Sequence, residues 1–372
     1  MAYFDYTANY PVLPEVLDEF RRVELLARGN ANSLHEEGRK SLELYREANE
    51  KIFALLHLNP NVYEAIYTSS ATESNNLAIK GVFSSYGGAK SKIVASEFEH
   101  SSTNAAMASM VTMGAEASLV RSLPNGKIDL NDLANKVDED TVLACLSLVE
   151  GELGAIEPVF EANQIVHERS SGFLLVDATQ AIGKIPCDLS SFDLVSFAPH
   201  KFGGIIGTGV LLKKKNIVLT PLLDGGSSVS IYRSGTPAVG LIASSAKALE
   251  IALANQEKNF QKTKSLQMLF LSSIKGVRGL QINSFDENPF IVNLSLPNKK
   301  GNEMVSLLNE RGFYVSQKSA CSITNTPSKV IMSVYHDKQR ALTSFRVSLC
   351  SLSKEEDVLA LGNAIKEIAD GK

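Results

Sequence analysis

The chain has 372 residues, of which 44% are hydrophobic and 21% charged, with a net charge of −4. This is ordinary globular composition, long enough for two or three domains and a large core. The acidic balance argues against nucleic acid or an anionic membrane as the main partner. No apolar run approaches the ~18–20 residues of a membrane span. Met1-Ala2-Tyr3-Phe4-Asp5 has no basic segment followed by an apolar one, so no signal peptide and a cytoplasmic location are expected. Cys145, Cys187, Cys321 and Cys350 are scattered singly. That pattern excludes a disulfide framework or zinc knuckle, and no metal site is expected.

In chain order, Pro14 opens a helix that ends near Gly29. Ser33-Leu34-His35-Glu36 has capping-box spacing and opens a second helix to about Leu56. Strands are predicted over 62–68, 91–96, 115–120, 141–148, 173–177, 194–197 and 209–213. Helical patterns lie between them, near 73–83, 102–113, 128–137 and 159–168. Such alternation implies a mostly parallel sheet with helices on both faces and ligands at the carboxyl ends of the strands. After about residue 237 the order changes. A long helical stretch, 238–272, precedes strands over 280–283 and 290–296, a helix near 303–311, strands over 313–316 and 345–349, and a helix from Lys354. The expected organisation is a large unit, 14–240, and a smaller α+β unit formed by 1–13 and 241–372.

The sharpest segment is Leu174-Leu175-Val176-Asp177-Ala178-Thr179-Gln180, an apolar strand ending in a carboxylate. The next strand runs into Ala198-Pro199-His200-Lys201-Phe202-Gly203-Gly204. Taken singly, a strand-end aspartate is usually a cap and a lysine is usually solvated. Together, at neighbouring strand ends, they suggest pyridoxal phosphate (PLP). The lysine would form the Schiff base, and the carboxylate would keep the pyridinium nitrogen protonated. Thr68-Ser69-Ser70-Ala71-Thr72-Glu73-Ser74 follows a strand and opens a helix, where free N–H groups suit a phosphate. On its own this segment is no more than a helix cap. Cys321 lies in a polar stretch running to Lys329, the setting of a reactive thiol, and Lys318 would favour its thiolate. Cys145 and Cys350 fall in apolar strand patterns and are expected to be buried and inert, with Cys187 structural.

These motifs, in this order and across nearly the whole chain, resemble the class V aminotransferase family and within it the cysteine desulfurases. The matching segments include Tyr3 to Ala8 as an opening strand, Gly29 to Arg39, Thr68 to Asn76, Glu99-His100, Val176 to Gln180, His200-Lys201, Arg233 to Thr236, Ser319-Ala320-Cys321 and Ser344 to Leu349. The resemblance implies an α/β, aspartate-aminotransferase-like fold (PLP-dependent fold type I) with PLP on Lys201. It implies contacts to the cofactor from Ala71, Thr72, Asp177, Gln180 and His200, with His100 over the ring. Asn30 and Arg346 would hold the substrate carboxylate, and Cys321 would accept the sulfur of L-cysteine and pass it to an acceptor protein. A homodimer is implied too, with Thr236 reaching the cofactor phosphate of the neighbouring subunit.

The pattern departs from the family at several points. Gly151, in Val149-Glu150-Gly151-Glu152-Leu153-Gly154, stands where an asparagine would touch the cofactor ring oxygen. Ala198 replaces a hydroxyl donor to the phosphate. The Gly-rich turn after Lys201, the segment Asp224 to Ser230 and Ser316-Gln317-Lys318 before the cysteine motif are altered as well. Each lost hydrogen bond costs about 0.5–1.5 kcal/mol, so these changes together would weaken PLP binding by roughly ten-fold or more. A divergent desulfurase is therefore expected. The alternatives are another class V enzyme, such as a cysteine or selenocysteine lyase or an aminotransferase, and a non-catalytic member.

Overall fold

The computed structural model describes residues 1–88, 91–285, 287–318 and 326–371. The order of elements is β1 (Ala2–Tyr3), α1 (Pro14–Leu26), α2 (Glu36–Leu55), β2 (Tyr63–Thr68), α3 (Ala71–Tyr86), β3 (Lys92–Ser96), α4 (Ser101–Val111), β4 (Glu116–Val120), α5 (Leu130–Lys136), β5 (Thr141–Ser147), α6 (Val159–Arg169), β6 (Phe173–Asp177), β7 (Leu194–Phe197) and β8 (Gly209–Lys214). Then come α7 (Val239–Ala254), α8 (Gln256–Ser273), β9 (Gln281–Ile282), β10 (Ile291–Ser295), α9 (Gly301–Glu310), β11 (Phe313–Tyr314), α10 (Lys329–Tyr335), α11 (Lys338–Leu342), β12 (Ser344–Ser348) and α12 (Glu355–Ala369).

The large sheet has the order β2-β8-β7-β6-β5-β3-β4. It is parallel except for β8, which runs antiparallel to both its neighbours. Its inner strands β5, β6 and β7 are apolar on both faces because helices cover both, whereas the edge strand β4 is mostly exposed. In β5, Leu143 and Cys145 face one cluster with α3 and α4, while Ala144 and Leu146 face the other with α1, α2 and α7. A smaller sheet, β12-β10-β9, shares a third hydrophobic cluster with α8, α9 and α12. Ala2 and Phe4 belong to that third cluster, and β1 pairs in parallel with β11. The chain then crosses to the large sheet, where the Tyr10 and Leu13 amides donate to the carbonyls of His200 and Gly203.

Several local expectations need correction. The cap of α2 is His35, not Ser33: its Nδ1 accepts from the Gly38 amide at 3.2 Å. Helix α1 stops at Leu26, a turn short of Gly29. The stretch 238–272 is two helices, broken at Asn255. The expected boundary at 240 falls inside α7, whose buried face joins the large cluster through Val239, Ile242, Ala246 and Leu249. Val330, Ile331 and Val334 of α10 join that cluster as well. Helices α10 and α11 were not anticipated. They are seven and five residues long, capped by Ser328 and Asp337, too brief to show a clear 3.6-residue period. No described helix is long and apolar enough to cross a membrane.

Candidate active site

The carboxyl ends of β3, β6 and β7 bring three expected residues to one edge of the sheet. Asp177 is the last residue of β6 and is buried. Its Oδ2 accepts from Asn75 Nδ2 at 2.9 Å and its Oδ1 from the Thr179 amide at 3.0 Å. Among the described residues no ion pair reaches it. A buried carboxylate held only by neutral donors favours a cationic partner, which a protonated pyridine nitrogen would be.

His100 follows β3 and caps α4. Its Nδ1 accepts from the Ser102 amide at 3.2 Å and lies 2.8 Å from Ser102 Oγ. Asn75 Nδ2 also donates to Ser102 Oγ, at 3.0 Å. That leaves the hydroxyl hydrogen for His100, so the neutral ring carries its proton on Nε2. Burial pushes the imidazole below its ordinary pKa, with Lys201 adding to the shift and Asp177 opposing it. Asn75 therefore joins Asp177 to the histidine, and its own Oδ1 accepts from Ser196 on β7.

Lys201 ends a single 3₁₀ turn, Pro199–Lys201, after β7. The turn is held by the Gly204 amide bonding back to the Pro199 carbonyl at 2.9 Å. A Cβ on Gly204 would lie 2.5 Å from Pro199 Cβ, so only glycine allows this closure. The Lys201 amine donates to the carbonyls of Thr7 and Ala8, at 2.8 and 2.6 Å. Gln180 reaches the same Thr7 carbonyl through Nε2, at 3.0 Å.

Beyond this edge, β2 leads into α3. Ser70 caps the helix and accepts from the Glu73 amide, while Glu73 returns to the Ser69 amide at 2.7 Å and pairs with Arg233. The N–H groups of Ala71 and Thr72, in the first turn, have no intrahelical acceptor and suit a phosphate. Gly209 admits the backbone here, since a Cβ would meet the Ser70 carbonyl carbon at 2.2 Å. His200 Nδ1 is buried without a hydrogen-bond partner. Burial, then the nearby Lys201 and Lys184, push this histidine down to about 4. An orphaned ring nitrogen beside Lys201 fits a phosphate oxygen. The side chains present thus suit PLP at each of its three ends.

Arg346, on β12, is 3% exposed. Its Nη1 donates to the Gly151 carbonyl at 2.8 Å and its Nη2 pairs with Asp5 Oδ1 at 3.0 Å, while Nε is buried without a partner. Asn30 is exposed and bonds Thr236 Oγ1 at 3.3 Å, so these two expected residues lie side by side. Cys321 lies outside the described residues. Lys318, before it, donates to the carbonyl and hydroxyl of Thr326. Cys145 and Cys350 are buried and free, and burial raises both thiols above their ordinary pKa. Cys187 is pushed up to about 11 by burial and Asp188.

The sequence reading passed over several residues. Asn75 was read only as part of a motif. Glu99 is buried and accepts from Ser96 Oγ and from the Ser147 amide and hydroxyl, and burial raises it to about 7. Glu150 accepts from the amides of Glu152 and Leu153, and burial and Glu152 raise it to about 8. Lys184 is buried against Gln180. The available signals were charged residues inside otherwise apolar runs, Glu150 and Glu152 around Gly151 and Lys184 between Ile182 and Ile185.

The comparisons agree with this geometry. The family model for aminotransferase class V matches residues 2–361. A cysteine desulfurase IscS of Dictyoglomus turgidum is 31% identical over 362 residues, covering 96% of this chain and 91% of the relative. One from Rickettsia africae is 33% identical over 366 residues, covering 96% and 88%. Among solved structures, a NifS-like protein superposes with a TM-score of 0.93 at 31% identity over 100% of both chains. SspA in complex with cysteine superposes with a TM-score of 0.81 at 27% identity, over 94% of this chain and 99% of that one. With its sheet edge, helix-capped loop and buried carboxylate, the chain belongs to the class V aminotransferase family.

Proposed function

We propose that the chain is a PLP-dependent cysteine desulfurase that converts L-cysteine to L-alanine and leaves a persulfide on Cys321. The observation that carries this is Asp177, a buried carboxylate without an ion pair among the described residues, at the sheet edge that also holds His100 and Lys201. The relatives named as cysteine desulfurases and the cysteine-bound structural neighbour support the substrate. When bound to Lys201, PLP supplies an electron sink for the substrate α-carbon. Asp177 would keep the ring nitrogen protonated, His100 would lie beside the ring as a neutral imidazole, and Ala71, Thr72 and His200 would hold the phosphate.

Arg346 binds the substrate carboxylate, which replaces Asp5 on the guanidinium fork. The freed Lys201 amine takes the α-proton. The Cys321 thiolate attacks the substrate sulfur: the new S–S bond forms as the C–S bond breaks, that electron pair stays with the β-carbon, which is protonated, and the proton held by Lys201 returns to the α-carbon to give alanine. An acceptor protein takes the terminal sulfur from the persulfide. We further propose a cytoplasmic homodimer in which Thr236, with Asn30, reaches the partner's cofactor phosphate. The packing favours a cofactor-binding unit that continues to Asn255, with the smaller unit formed by 1–13 and most of the remainder.

The test is to incubate PLP-supplemented protein with L-cysteine and a reducing thiol and to measure alanine and sulfide together. Equal yields that vanish in Cys321→Ala are expected. Pyruvate and ammonia in place of alanine would assign a lyase, and a full sulfide yield from Cys321→Ala would remove the cysteine from the mechanism. Sedimentation of the active species as a monomer would overturn the dimer.

A further inference from the structure

Lys184 has no part in the chemistry above, yet its amine is buried at the edge of the site. It ends the turn Ala181-Ile182-Gly183 after β6, and its Nζ donates to Gln180 Oε1 at 2.5 Å. The ionisable groups acting on it are Lys201, Arg346 and the Cys350 thiol, with no carboxylate among them. The cavity on this side, lined by Lys184, Lys201, Tyr6, Tyr10 and Cys350, has no acidic lining residue among the described residues either. Burial, then Lys201, brings the amine down to about 7. An amine kept in such surroundings calls for something that it holds.

What it holds is an amide with two possible orientations. The Lys184 amine donates here, so the Gln180 atom facing it is the oxygen. The amide nitrogen is then turned the other way, where one N–H meets the Thr7 carbonyl at 3.0 Å, the carbonyl that also receives Lys201. The second N–H remains for the cofactor side.

We propose that Lys184 is a positioning residue that locks Gln180 with its oxygen outward, so that Gln180 meets the ring oxygen of PLP only as a hydrogen-bond donor. This rests on the cofactor reading above. The consequence lies in the proton on the nitrogen that joins Lys201 to PLP. A donor on the ring oxygen stabilises the anion left when that proton departs, and the Lys184 amine adds to this while it is protonated.

The experiment is a pH titration of the visible absorbance of the PLP-loaded protein. Lys184→Met lets the amide turn and removes the charge, and the midpoint is expected to rise by about one pH unit, ten-fold in the dissociation constant. In a Gln180→Ala background the same substitution is expected to move the midpoint less than half as far, because the route through the amide is gone. An unchanged midpoint in Lys184→Met, or equal shifts in both backgrounds, overturns the proposal. Should Lys184→Met give no soluble protein, Lys184→Gln carries the test. A neutral amide can present either atom to Gln180 and brings no charge, so the midpoint is expected to rise, and an unchanged one overturns the proposal. Wild-type protein with no visible band after PLP addition fails the cofactor reading itself, an outcome distinct from a normal band with an unmoved midpoint.

Discussion

Nη1 of Arg346 lies 2.8 Å from the carbonyl oxygen of Gly151, two residues that are 195 positions apart in the chain. The contact ties the small sheet to the loop after β5, and it uses the backbone of a position that has no side chain. The space that a side chain would fill is free: a Cβ on Gly151 meets Gln180 Cγ at 4.0 Å and nothing nearer.

Gly151→Asn should therefore fold without strain and place a new amide beside Gln180. PLP affinity is expected to rise by roughly ten-fold, the worth of one hydrogen bond to a charged acceptor. Equilibrium dialysis of PLP against both proteins measures it. An affinity equal to or below wild type would show that the asparagine does not reach the ring oxygen.

Arg346 is matched to a carboxylate by its planar fork, which lysine cannot reproduce. Arg346→Lys is expected to raise KM for L-cysteine at least about ten-fold, a loss of about 1.4 kcal/mol, while the PLP absorbance is unchanged. Asp5→Asn removes the resident competitor and its charge. KM should fall in that variant, and steady-state kinetics across a cysteine series check both.

Asn75 supplies both hydrogens of its amide to the site, one to Asp177 and one to Ser102. Asn75→Leu leaves the Asp177 carboxylate short of a donor and frees Ser102 from its role in setting the His100 tautomer. Leaving buried polar groups unsatisfied costs about 1–3 kcal/mol each, so the midpoint of thermal unfolding should fall by several degrees. Calorimetry of the PLP-free protein reads this separately from turnover.

Glu99 gives a dependence on pH with a definite sign. Its folded pKa, about 7, lies above the ordinary 4.5. The folded state therefore holds the proton that the unfolded state loses, and the stability this supplies is present below about 4.5 and is lost as pH rises through about 7. Glu99→Gln, which stays neutral, should match wild type near pH 4 and overtake it progressively up to pH 8 in urea unfolding. A constant difference across that range would show that Glu99 does not take up a proton on folding.

The sequence made the sheet legible because each strand is a short apolar run bounded by turns. The strands at 173–177 and 194–197 match their observed ends, and so the positions of Asp177 and Lys201 at the sheet edge follow directly. Motif spacing identified Arg346, but not that Asp5 and Gly151 already occupy it, because those contacts join segments far apart in sequence. The same applies to Asn30, whose exposed partner Thr236 is 206 residues away. Local signals failed where one residue decides, as at Asn255, which breaks a continuous helical pattern. The buried charges were hidden for a related reason: a glutamate or lysine in an apolar run shows its burial only once the surrounding elements are packed.

The opening segment has a consequence for how the protein is made. Ala2 pairs with Phe313, Asp5 with Arg346 and Thr7 with Ser348, so this segment waits for partners that are made much later. The large sheet can assemble during synthesis, with Lys201 already on its edge. The Thr7 carbonyl, however, can settle against Lys201 and Gln180 only when β12 has emerged. Closing so long a loop is slow compared with local helix and strand formation. Nascent chains stalled before Phe313 should therefore be protease-sensitive around Ala2 to Thr7 on an otherwise resistant body, and the catalytic pocket is completed late in folding.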